Sequence, residues 1–99
     1  MIIVAGEFEF TPGKDAEVVA AMVDMMNETA KEEGCVHYRF YRDVEREHVY
    51  HVYEEWETDP HLDAHAASAH MQVFKAALGA IGIVRREVAK REGGPPTAL

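Results

Sequence analysis

Apolar and polar positions alternate from Ile2 to Phe10. Ile2, Val4, Gly6, Phe8 and Phe10 fall on one side, and Ile3, Ala5, Glu7 and Glu9 on the other. A period of two is the signature of a strand, and Thr11-Pro12-Gly13-Lys14 is the turn that ends it. From Asp15 the period changes. Val18, Met22, Met25, Met26 and Thr29 recur at intervals of three and four, which predicts a helix over residues 15–33 with Gly34 just past its end. Its methionines read as flexible core filling. Alternation returns over residues 35–43, with Val36, Tyr38 and Phe40 in phase, and again over 48–57, with Tyr50, Val52, Glu54 and Trp56 in phase. The short polar link at residues 44–47 makes these two strands a hairpin.

Thr58-Asp59-Pro60 is a helix start, a capping residue followed by proline in the first turn. The helix over 61–67 is short, because Ser68 is placed to cap a second one running from Ala69 to about residue 80. A last strand is expected over 83–89. The order β-α-β-β-α-β, with its second helix broken at Ser68, predicts a ferredoxin-like α+β fold with a four-stranded antiparallel sheet. One domain is expected over residues 1–90, followed by a flexible tail over 91–99.

Helices can cover only one face of such a sheet. The third strand is nevertheless apolar or aromatic on both faces, with Val49, His51 and Tyr53 opposite Tyr50, Val52 and Trp56. Ile3, Ala5 and Ile83 extend the second face. An apolar sheet face is costly to leave in water, so a homodimer with sheets packed face to face is expected.

Eighteen acidic residues against ten basic ones give a formal charge of −8. That argues against nucleic acid or an anionic membrane as partner, both of which require a basic surface. No run of apolar residues is long enough for a membrane span, and the first residues lack the form of a secretory leader. The single cysteine, Cys35, permits no internal disulfide and fits a cytoplasmic protein. It reads as a small buried hydrophobe.

Three of the six histidines, His61, His65 and His70, fall within ten residues. His61 and His65 are four apart, share a helix face and could share a metal, but no cysteine joins them and no glutamate completes a zinc-protease helix. Glu54 and Trp56 share the helix-facing side of the third strand. A carboxylate there needs either a donor or a raised pKa. Trp56 reads either as a core residue or as a stacking wall for an aromatic ligand. Gly6 marks either close backbone approach or room for a ligand. Arg85 and Arg86, with Arg39 and Arg42, could neutralise the acid-rich third strand.

Taken together, Thr11-Pro12-Gly13-Lys14, Glu33-Gly34-Cys35-Val36-His37-Tyr38, Glu54-x-Trp56 and His65-x-x-Ser68-x-His70-x-x-x-Phe74 resemble the antibiotic biosynthesis monooxygenase family, nearest its quinol-monooxygenase-like branch. The resemblance spans Ile2 to about Val88. It implies a dimeric α+β barrel with one cleft per protomer between sheet and helices. It also implies oxygenation of electron-rich phenols or quinols by O₂ with no metal, flavin or other cofactor. Ala69 departs mildly from the family, where proline commonly follows the serine. Haem-degrading relatives need an asparagine in strand one and a late helical histidine; Gly6 and Lys75 stand at or near those places. An isomerase of a small carbonyl or sugar-phosphate-like metabolite, or a ligand-binding dimer without catalysis, is the alternative on the same fold.

The catalytic residues expected on this basis are His65, His70 and Glu54. His65 would accept a phenolic proton while Glu54 holds its other nitrogen, and His70 would bind a second substrate oxygen. Trp56, Tyr38, Phe40, Phe8, Phe74 and Gly6 are the expected substrate-binding residues, with Phe10 adding to the apolar wall.

Overall fold

The alternating segments become strands. The computed structural model describes residues 1–99 and contains β1 (Ile2–Phe10), α1 (Asp15–Thr29), β2 (Cys35–Arg42), β3 (Val49–Trp56), α2 (Asp59–Ala66), α3 (Ala69–Ile81) and β4 (Ile83–Glu92). The strands form one antiparallel sheet in the order β2-β3-β1-β4. This is the expected ferredoxin-like α+β fold, with the second helix broken at Ser68. No helix is long and apolar enough to cross a membrane.

The helices cover the face that carries Ile2, Val4, Phe8 and Phe10 of β1 and Tyr50, Val52 and Trp56 of β3. Val18, Met22 and Met25 of α1 and Phe74 and Leu78 of α3 close the core over them. Both expected caps form. The Thr58 hydroxyl accepts from the His61 N–H, and the Ser68 hydroxyl accepts from the Met71 N–H. The Ser68 hydroxyl also donates to the His65 carbonyl at 2.7 Å, so one side chain ties the end of α2 to the start of α3.

Several details depart from the alternating pattern. Helix α1 stops at Thr29 rather than running to Glu33. Lys31 and Glu32 donate backbone bonds to the carbonyls three residues earlier, and Gly34 adopts φ +80°, so residues 30–34 form tight turns instead of helix. An irregularity between Cys35 and His37 shifts the β2–β3 register. It places Cys35 against the core and leaves Val36 half exposed, reversing the expected phase at Val36. A second shift, after Glu9, pairs Ile83 with Phe10, so Ile83 belongs to the helix-covered side and not to the outer face. Strand β4 runs to Glu92, two residues beyond the expected domain boundary, and Gly93 exchanges bonds with Met1.

The outer face is more polar than alternation alone suggests. Glu7 accepts two hydrogen bonds from Arg46 and one from Arg85, while Asp43 accepts from His51 and Arg46. The Arg46 and Arg85 bonds hold the Glu7 carboxyl down at about 2. Arg85 and Arg86 lie on the edge strand opposite that of Arg39 and Arg42. Arg85 serves β1, and Arg86 lies over the Phe8 ring, so the four arginines do not act together on β3.

Gly6 faces the backbone of β4. A Cβ there would lie 2.0 Å from the Glu87 carbonyl oxygen and 2.5 Å from the Val88 Cα. Of its two readings, close strand approach is the one this geometry supports. Gly6→Ala must push β4 outward, and a loss of about 1–3 kcal/mol is expected, measured as a lower urea midpoint at unchanged m-value.

Candidate active site

A cleft of about 380 Å³ lies between the sheet and α3. Phe8, Tyr38, Phe40, Val52 and Phe74 supply apolar walls, Lys75 and Arg86 supply cations, and Glu54 supplies the carboxylate. Alternation along β3 turns Glu54 toward the helices between Val52 and Trp56, leaving it 6% exposed. The Trp56 indole N–H donates to Glu54 Oε1 at 2.9 Å and fixes the carboxylate in this orientation. Burial pushes its pKa up to about 7, against the lowering effects of the indole hydrogen bond and Arg86. An acid–base group that titrates near neutrality therefore faces an aromatic-walled space.

Four of the expected wall residues, Phe8, Tyr38, Phe40 and Phe74, line this cleft. Trp56 does not. It is completely buried and acts from behind, through its bond to Glu54. Phe10 is likewise core. Tyr38 stays protonated, because burial and the nearby Glu54 and Glu32 raise its pKa.

The histidines are organised by a residue that sequence reading did not select. Glu32 Oε2 accepts from His65 Nδ1 at 2.6 Å and from His70 Nε2 at 2.8 Å. The expected Glu54–His65 pair is replaced by Glu32–His65, because Glu54 is engaged by Trp56. His65 is 2% exposed, packed against the Trp56 and Tyr38 rings at centroid distances of 4.8 and 5.2 Å, and its Nε2 has no partner. Burial lowers its pKa although Glu32 opposes the shift, which favours neutral imidazole. His65 and His70 lie outside the lining of the Glu54 cleft. His70 lines a separate groove of about 410 Å³ between α1 and α3. His61 does not join His65: its Nδ1 bonds Thr58 Oγ1 at 2.8 Å and its ring packs against Gly34.

Residues 1–77 match the family model for antibiotic biosynthesis monooxygenases, and the chain belongs to that family. Solved structures share the whole fold. A protein of Deinococcus radiodurans, provisionally named an antibiotic biosynthesis monooxygenase, superposes with a TM-score of 0.93 at 19% identity, covering 100% of this chain and 98% of its own. A conserved protein of Methanosarcina mazei Go1 gives 0.87 at 27% identity over 94% and 92% of the two chains. The structure of Rv0793 from Mycobacterium tuberculosis gives 0.87 at 21% identity over 98% of both. No curated protein matches the chain.

The position of Glu54 has a consequence for stability. With its carboxyl raised from 4.5 to about 7, the folded chain keeps a proton that the unfolded chain releases. Stability contributed at this position is full below pH 4.5 and is lost as pH rises to about 7. Glu54→Gln still accepts the indole bond but carries no charge. It is expected to gain on the order of 2–3 kcal/mol over the parent at pH 8 and much less at pH 5, read from denaturant unfolding at both pH values.

Proposed function

We propose that this chain is a monooxygenase that uses O₂ to oxidise a small electron-rich aromatic of the quinol or polyphenol type, with no flavin or metal taking part in the cleft. The observation that carries this reading is the Glu54 carboxylate, pushed up to about 7 inside a cleft walled by Phe8, Tyr38, Phe40 and Phe74. Family membership supports the reaction class.

Glu54 takes the phenolic proton, the role first expected of His65, because Glu54 faces the cleft and His65 does not. The phenolate is a better one-electron donor than the phenol. It passes an electron to O₂, and the resulting ring radical and reduced oxygen combine at a ring carbon. One oxygen atom stays on the ring and the other leaves as water, so a hydroquinone and O₂ give a hydroxyquinone and water. The aromatic walls exclude bulk water from the radical pair. Lys75 and Arg86 stabilise the anion formed when the proton leaves. Trp56 positions Glu54 through its indole N–H.

The protein acts as a homodimer joined through the outer sheet face. Ile3, Ala5 and Tyr53 supply apolar contact there, and the Glu7–Arg46–Asp43 ion pairs give it a charged border.

Oxygen uptake on a panel of hydroquinones tests the chemistry. Glu54→Gln should lower turnover by about 10²–10⁴-fold, and the parent's kcat/KM should rise with pH through about 7 as Glu54 ionises. A loss below about threefold would remove Glu54 from the base role. Turnover of a carbonyl or sugar-phosphate substrate without oxygen consumption would favour the isomerase reading instead. Light scattering should report two chains per particle, and Ile3→Glu should shift the protein toward single chains; a monomeric parent at micromolar concentration would refute the dimer.

A further inference from the structure

Helix α3 has a cavity on each side. The cleft faces the sheet, while the groove toward α1 is lined by His70 together with Asp24, Asn27 and Glu28. Beside that groove three segments converge: the turn after α1 brings Glu32, α2 brings His65, and α3 brings His70. Their donor atoms, Oε2, Nδ1 and Nε2, all lie within 4.8 Å of one another.

We propose that Glu32, His65 and His70 form a binding site for a divalent transition-metal ion of the zinc and cobalt type, which clasps the α1–β2 connection to α2 and α3. Two imidazoles and one carboxylate suit such ions, whereas calcium and magnesium prefer all-oxygen sites. The spacing is close to that of a bound state. Two donors on a tetrahedral ion at about 2.1 Å lie about 3.4 Å apart, and the Glu32 oxygen lies at hydrogen-bond distances of 2.6 and 2.8 Å from the two nitrogens. A small outward shift of the carboxylate makes room.

Charge also favours a cation here. Glu32 is paired only with the two histidines, and no lysine or arginine bonds to it. The second cluster with ligand spacing, Glu7, Asp43 and His51 on the outer sheet face, differs in this respect. Arg46 and Arg85 already neutralise Glu7, and Arg46 also bonds Asp43. At the α3 site the half-buried His70 borders the groove, so an ion can enter there and complete its shell with water.

Cobalt(II) added to the chelator-treated full chain is the direct probe. One ion per chain is expected, with visible ligand-field bands. The melting temperature should rise by about 11–20 °C at a hundredfold excess over Kd. His70→Ala and Glu32→Gln should abolish the bands and the shift, while Asp43→Asn keeps both. His70 is partly exposed, so its variant keeps the test valid if Glu32→Gln folds poorly. Absence of saturable binding, bands that survive in His70→Ala, or bands lost in Asp43→Asn would each overturn the site.

Discussion

The structure depends on one consequence of strand parity. Helices cover a single face of the sheet, and β3 directs Tyr50, Val52, Glu54 and Trp56 into that face. Three of these belong in an apolar layer and one does not. A buried carboxylate must either be neutralised or find a donor. Glu54 meets this requirement in part on each count: it takes the indole N–H of Trp56 and retains its proton up to about pH 7. The same residue that costs the fold stability when ionised gives the cleft its acid–base group. Trp56 is therefore more than a filler, since its indole holds the Glu54 carboxylate from inside the core.

Much of this was legible in the residues. The alternation placed Glu54 and Trp56 on the helix-covered face, and the capping signals at Thr58 and Ser68 located the helix break. Phe8, Tyr38, Phe40 and Phe74 were recognisable as walls because period and topology together decide what α3 packs on. The misplacements have a common source. Val36 and Ile83 each lie beside a register irregularity, and one extra residue in a strand exchanges its two faces. Gly6 left two readings open because the sequence does not show how closely a neighbouring strand passes.

Glu32 was hidden for a different reason. A helix continued to Glu33 puts Lys31, Glu32 and Glu33 on a solvated charged turn, the usual place for such a run. The chain instead leaves the helix at Thr29, and the turns that follow swing Glu32 beneath α2 and α3. Its partners could be read as a histidine pair, but His61 and His65 were the natural pair at helical spacing. The break at Ser68 changes that geometry. Because the Ser68 hydroxyl bonds both the end of α2 and the start of α3, His65 and His70 approach from two helices and meet on one carboxylate oxygen.

These placements divide the polar groups around α3 by task. On its sheet side, Glu54 stands with Lys75 and Arg86 among aromatic walls, an arrangement whose charge balance changes usefully when a proton moves. In the proposed reaction, a neutral phenol would first lie beside a carboxylate destabilised by burial. After the transfer proposed, the carboxyl would be neutral and the new anion would lie near Lys75 and Arg86. Both changes run in the direction of proton transfer, and neither requires His65. On the other side, Glu32 with two imidazoles has no fixed cation and lies outside the lining of the aromatic cleft. Assigning proton transfer to the first group and structural cohesion to the second uses each carboxylate where its surroundings suit it.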